Sequence, residues 1–155
     1  MKAVICTRYG PPEVLVVKDI PKPEPGENEI LVKVHATTVT HGDTRMRSFR
    51  VPVSFRIPAR LAMGFRGPRQ GVIGMELSGE VEAVGKHVKR FRQGDHVYAT
   101  SGHGNGAYAE YIRLPENGRV AFKPENLSWI EAAAVPVGRL TALYFLRDGG
   151  IRPGH

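Results

Sequence analysis

The chain has 155 residues, 41% hydrophobic and 24% charged, with 22 Lys plus Arg against 15 Asp plus Glu and a formal charge of +7. This length suits about one domain with a real core, and the composition is that of a folded chain rather than a disordered one. A single cysteine, Cys6, excludes an intrachain disulfide and any zinc site needing several thiolates; no apolar run approaches the ~20 residues of a membrane span, and residues 1–6 turn polar too soon for a secretory leader.

Taken in chain order, Lys2–Cys6 and Val14–Ile20 read as two strands separated by the turn Tyr9-Gly10-Pro11-Pro12. Residues 21–26 (Pro-Lys-Pro-Glu-Pro-Gly) form an extended connector with too few backbone donors for a central strand. Glu29–Val39 is the clearest strand, with Ile30, Val32 and Val34 alternating with Leu31, Lys33 and His35. His41-Gly42-Asp43-Thr44 is expected to open a short helix with Asp43 as its N-cap. Pro52, Pro58, Gly64, Gly67 and Pro68 then prevent one long helix, leaving a loop with a turn or two of helix near Ala59–Met63.

Val72–Gly85 is a long β-type run whose glycines at 74, 79 and 85 suggest a bulge, a bend or a close backbone approach. Gln93-Gly94-Asp95 turns into a strand at His96–Ala99. Ser101–Gly106 is a glycine-rich loop, and Ala107–Leu114 is another strand. The period then becomes helical. Ser128 is the expected N-cap of a short helix, with Glu131 as its capping-box partner. Pro136 suits the first turn of a second helix, running to about Arg147 and stopped by Gly149-Gly150. The expectation is a mainly β domain over residues 1–127, with a helical exit segment over 128–155.

The charge has an address. Residues 1–44 hold 5 basic and 6 acidic residues, and residues 70–155 hold 10 and 9. Between them, Arg45, Arg47, Arg50, Arg56, Arg60, Arg66 and Arg69 stand without a single acid.

Four motifs occur in order along the chain. Residues 74–85 (Gly-Met-Glu-Leu-Ser-Gly-Glu-Val-Glu-Ala-Val-Gly) are followed by Phe91 and by Gly94-Asp95-His96-Val97. Gly106-Ala107-Tyr108-Ala109-Glu110-Tyr111 comes next, then residues 132–142 (Ala-Ala-Ala-Val-Pro-Val-Gly-Arg-Leu-Thr-Ala). Together they resemble the signature of the medium-chain dehydrogenase/reductases, whose N-terminal half is a GroES-like, partly open β-barrel. Zinc alcohol dehydrogenases of that family carry Cys, His and Cys at positions that match Thr40, Met75 and Val137 here. None of these three is a thiolate or an imidazole, so no metal site is expected; His96 and His103 are read as packing or solvent residues. The resemblance is therefore to the zinc-independent, quinone oxidoreductase-like branch, together with NAD(P)-dependent alcohol dehydrogenase-like proteins. Asp43-Thr44 with Arg47 also resembles that branch, although its usual Asn is Thr40 here.

The resemblance implies hydride transfer from NADPH or NADH to a quinone, an enone or a related carbonyl, with polarisation by hydrogen bonds. It implies cofactor contacts at Thr40, at His41 beside the pyrophosphate and at Thr141 beside the nicotinamide. It places Asp43, Arg47, Met75 and Val137 at the substrate pocket. No catalytic proton donor is identified, and Tyr108 reads as a strand aromatic. Relatives bind the dinucleotide on a following Rossmann domain with a G-x-G-x-x-G turn. Gly102-x-Gly104-x-Gly106 lacks that spacing, and the chain stops at residues 152–155, where the first Rossmann strand would begin. The expectation is the first half of an enzyme, cytoplasmic, without tight cofactor binding or turnover by itself. Leu140, Leu143, Phe145 and Leu146 would expose apolar surface and favour self-association or a homo-oligomer.

Two other functions are compatible with the sequence. One is a non-catalytic GroES-like binding or assembly module, supported by fold likeness alone. The other is nucleic-acid binding through Arg45–Arg69, where Phe49, Phe55 and Phe65 interleave but the prolines leave no docking helix. The plain reading of these arginines is a solvated face whose stems cover apolar surface. The functional one is an electropositive rim above the cleft, drawing in an anionic substrate or cofactor. No membrane partner is expected.

Overall fold

The computed structural model describes residues 1–69, 71–102 and 106–150. Strand β1 (Lys2–Cys6) pairs antiparallel with β2 (Leu15–Asp19), from Lys2 opposite Asp19 to Cys6 opposite Leu15. A single 3₁₀ turn at Pro12–Val14 joins them and buries Val14. The main sheet has five antiparallel strands in the order β6 (Tyr111–Pro115), β3 (Glu29–Thr37), β4 (Glu76–Val84), β5 (His96–Thr100) and β7 (Val120–Phe122).

The two nine-residue strands, β3 and β4, lie side by side in the middle of this sheet. Their inward residues Ile30, Val32, Leu77 and Val81 are fully buried with Val97 and with Phe91 of the loop before β5. Each such side chain stabilises the fold by roughly 1.5–3 kcal/mol. Gly79 is required by the close approach of β3. A Cβ there would lie 2.1 Å from the Lys33 carbonyl oxygen, beside the register shift between Val34 and Ala36. The expected glycine bend inside this run is therefore a bulge against the neighbouring strand.

A smaller core of Cys6, Val14 and Ile73, with Leu15, Met46 and Tyr108 against it, lies under the β1–β2 hairpin. Burial pushes the Cys6 thiol pKa up, so it behaves as an apolar side chain. The hairpin reaches the rest of the fold through single bridges, Ala3 to Ala109 and Ile5 to Val72. The strands thus curl into a partly open barrel, and among the described residues no ladder closes the ring. The expected fold class, mainly β with a few helices, is what the structure has.

Several elements differ from the expectation. Tyr111 starts β6, four residues later than the predicted strand. The preceding N–H groups of Ala107 and Tyr108 are committed to the carbonyls of Gly74 and Ile73 instead. Strand β7 has no signal in the sequence, because three residues are too short to show alternation. Helix α1 (His41–Ser48) is capped by Thr40, not Asp43. Asp43 sits at the third helical position, and its carboxylate returns to the Thr40 backbone N–H. Helix α2 (Arg56–Met63), preceded by a 3₁₀ turn at Val53–Phe55, is longer than the predicted turn or two.

Helix α3 (Trp129–Ala133) has the predicted reciprocal cap of Ser128 and Glu131. It lies across β3, β4 and β5, with the Trp129 ring 4.6 Å from His35 and 4.7 Å from His96. His96 is exposed, with its ring tilted against Trp129. The second predicted helix is split into a wide π-type turn at Val135–Arg139 and helix α4 (Leu140–Asp148), which stops at Gly149. Pro136 has no N–H to continue a ladder, and the Val137 N–H is bound elsewhere. The readings made of His103, Gly104 and of residues 152–155 lie outside the described residues.

Candidate active-site cleft

Three elements converge at one end of the barrel: the end of β3, the start of β4 and the π-type turn leading into α4. Glu76 joins them. It is 3% exposed and opens β4. Its Oε1 accepts a 2.5 Å hydrogen bond from the Val137 N–H, and its Oε2 accepts one of 2.5 Å from the Thr38 hydroxyl. The Thr37 hydroxyl also donates to the Glu76 carbonyl at 2.7 Å. A buried carboxylate is tolerated only with such partners. Here it clips residues 135–139 onto the end of β3.

Beside this clip lies an open cleft of about 570 Å³. Met75, Pro136 and Val137 form one side, Leu140 and Thr141 line the α4 side, and Thr100 and Arg119 line the barrel side. Three of the sequence-predicted residues, Met75, Val137 and Thr141, therefore share one cavity. The first turn of α1 packs behind Met75: a Cβ on Gly42 would lie 3.1 Å from the Met75 sulfur.

The other predicted residues sit around α1. The Thr40 hydroxyl donates to Asp43 Oδ2 at 2.6 Å, and the Thr40 N–H donates to the same oxygen at 2.8 Å. Asp43 is 2% exposed, so its carboxylate holds the helix start rather than facing the cleft. His41 is exposed and lines a separate pocket of about 300 Å³ with Thr44, Arg45, Arg47, Ser48 and Arg50, all on α1 or just past its end. Arg47 also donates through Nη1 to the Gly10 carbonyl, tying α1 to the β1–β2 turn.

Glu76 has no functional reading in the sequence, and Tyr108, expected as a strand aromatic, lies in a bend before β6. The Tyr108 ring occupies the space that a Cβ on Gly74 would need, 2.4 Å away, and Gly74 takes a φ of +100°. Burial first, and then the nearby Asp43 charge, push the Tyr108 phenol pKa well above the ordinary tyrosine value. The Tyr108 hydroxyl and Asp43 Oδ1 are both buried without a hydrogen-bond partner of normal geometry. Such a phenol is a weak acid and makes a poor proton donor.

Thr40, Met75 and Val137 offer no thiolate and no imidazole, and among the described residues no cluster of three or more His, Cys, Asp or Glu is arranged to hold a metal ion.

Residues 26–125 match the model of the alcohol dehydrogenase GroES-like domain. The chain belongs to this family. It is 33% identical to the quinone oxidoreductase of Sus scrofa over 99% of its own length and 43% of the relative's. The GroES-like domain here superposes on the quinone oxidoreductase from Coxiella burnetii with a TM-score of 0.83 at 32% identity, covering 99% of this chain and 46% of that one. It superposes on the Escherichia coli quinone oxidoreductase complexed with NADPH with a TM-score of 0.79 at 28% identity, covering 96% and 41%. The chain thus spans less than half the length of these relatives.

Proposed function

We propose that this GroES-like domain is the substrate side of an NAD(P)H-dependent oxidoreductase that delivers hydride to a quinone, an enone or a related carbonyl without a catalytic zinc. The observation that carries the reading is the cleft gathering Met75, Val137 and Thr141. Two of these, with neighbouring Thr40, are the positions where the zinc branch of the family needs its ligands, and here they are Met, Val and Thr. A cavity walled by Met75, Pro136, Val137 and Leu140 suits a flat, weakly polar ring system better than a hydrated ion. The names of the relatives support the same substrate class.

A nicotinamide dinucleotide fits the chain's residues at two points. Thr141 on the rim of the cleft offers a hydroxyl to a carboxamide. His41 offers a ring N–H, and Arg45 and Arg47 around its pocket offer charge, to phosphate oxygens. When bound, the dinucleotide supplies the hydride. The chain's own part is to seat the acceptor against Met75 and Val137, to exclude water with apolar walls, and to hold the cleft's shape through Glu76. Thr40 keeps its hydroxyl on Asp43, so its role toward cofactor is to fix the start of α1 under His41.

The sequence holds no G-x-G-x-x-G at a strand-to-helix turn. The isolated chain is therefore expected to bind cofactor weakly and to turn over nothing. Methyl NMR of the four methionines tests the site directly. Titration with a naphthoquinone should shift the Met75 methyl and leave Met63 unmoved. Shifts at Met63 or Met1 with Met75 unchanged would refute the assignment of the cleft.

A further inference from the structure

Helix α2 presents its faces the wrong way round for a solvated element. Its half-buried side is Ala59, Arg60 and Met63. The Arg60 guanidinium lies 4.3 Å from the Phe49 ring centre and 4.9 Å from that of Tyr9. Ile57 and Leu61, one turn apart, point away from the protein and are 75% and 55% exposed. Val53 and Phe55 in the turn before the helix, and Phe65 just after it, are exposed too. Five large apolar side chains between residues 53 and 65 are therefore exposed while the Arg60 guanidinium packs on two rings, more than single exposed apolar residues would explain.

The charge around this face is equally one-sided. Arg50, Arg56 and Arg66 are exposed beside it, and residues 45–69 contain no acid. None of the ion pairs among the described residues uses any of the seven arginines. The segment thus exposes apolar side chains and, close to them in sequence, arginines without an ion-pair partner among the described residues.

We propose that the face of Val53, Phe55, Ile57, Leu61 and Phe65, bordered by Arg50, Arg56 and Arg66, docks this chain in the plane of an anionic lipid surface. The complementarity is specific. An anionic bilayer offers negative headgroups to the arginines and hydrocarbon to the side chains between them. Nucleic acid satisfies only half of this, because branched aliphatic Val53, Ile57 and Leu61 give bases nothing to stack on. No helix of the described residues is long and apolar enough to cross a membrane, which is compatible with lying on one. This inference draws on none of the residues that line the cleft.

The test is co-sedimentation of the 155-residue chain with vesicles of phosphatidylcholine alone and of phosphatidylcholine mixed with phosphatidylglycerol. Binding is expected only with phosphatidylglycerol and should weaken as salt is added. The double variant I57E/L61E should fall to the level of neutral vesicles with an unchanged circular dichroism spectrum. The milder Leu61→Ser, at an exposed position, should weaken binding and guards against a folding failure in the double variant. Arg56→Gln and Arg66→Gln should each lower affinity about five-fold. Absence of binding to the anionic vesicles would overturn the proposal. So would vesicle binding that is indifferent to I57E/L61E, or a double variant that only turns a dimer into a monomer. Tighter retention of random duplex DNA than of vesicles, unchanged in I57E/L61E, would overturn it in favour of a nucleic-acid surface.

Discussion

Replacing Glu76 by alanine should loosen the floor of the cleft and destabilise the whole domain. The carboxylate accepts two 2.5 Å hydrogen bonds, from the Val137 N–H and the Thr38 hydroxyl, in an environment 3% exposed. Hydrogen bonds to a charged group contribute roughly 1.5–3 kcal/mol each. The Thr38 hydroxyl can turn toward water, being only half-buried, so the lower end applies and Glu76→Ala should cost about 3 kcal/mol. Glu76→Gln keeps the shape and one acceptor oxygen, and should cost about 1 kcal/mol. Urea unfolding followed by far-ultraviolet circular dichroism gives these values, and the single Trp129 on neighbouring α3 gives an independent fluorescence probe. Hydrogen exchange at the Val137 amide reads the clip itself. An alanine variant within about 0.5 kcal/mol of wild type, with Val137 still protected, would refute the reasoning.

Thr40→Ala should lower stability by about 0.5–2 kcal/mol in urea unfolding, since it removes the α1 cap and strips a partner from buried Asp43, while Thr40→Ser should nearly restore it. Hydrogen bonds from the Ser128 N–H and hydroxyl hold the Glu131 carboxyl below the ordinary carboxylate range. A folded-state value below the unfolded one means this contribution is complete above the unfolded value and is lost as pH falls through the folded one. Stability measured against pH should therefore decline on the acid side, and Ser128→Ala should flatten that limb; an identical acid limb in wild type and variant would contradict the assignment.

Local chemistry was the legible part. The alternation of Ile30, Val32 and Val34 announced β3, and the Ser128 and Glu131 pair announced α3, because both signals lie within a few residues of the elements they specify. The start of α1 was misassigned by the same kind of signal. Thr40 and Asp43 are both good caps three residues apart, and only the reciprocal geometry shows which one leads. Met75, Val137 and Thr141 are singled out by the order of the motifs and line one cleft, although nothing in their own side chains indicates chemistry. Glu76 was hidden because its partner, Val137, lies 61 positions away, and a carboxylate in an apolar strand carries no local sign of what it binds. The inverted faces of α2 were hidden for a different reason. A periodic pattern shows that a helix has two faces, but the ring system of Tyr9 and Phe49 decides which one turns inward.

The central claim is that this chain supplies the acceptor side of a two-part oxidoreductase. The most direct measurement is quinone-dependent NADPH consumption by two proteins: the chain alone, and residues 1–150 fused to the remaining length of the Coxiella burnetii quinone oxidoreductase beyond the part this chain matches. The account predicts turnover by the fusion, loss of that turnover when Met75→Trp fills the cleft, and none by the chain alone. Turnover by the chain alone, or a folded fusion that binds NADPH and reduces no quinone, would contradict it.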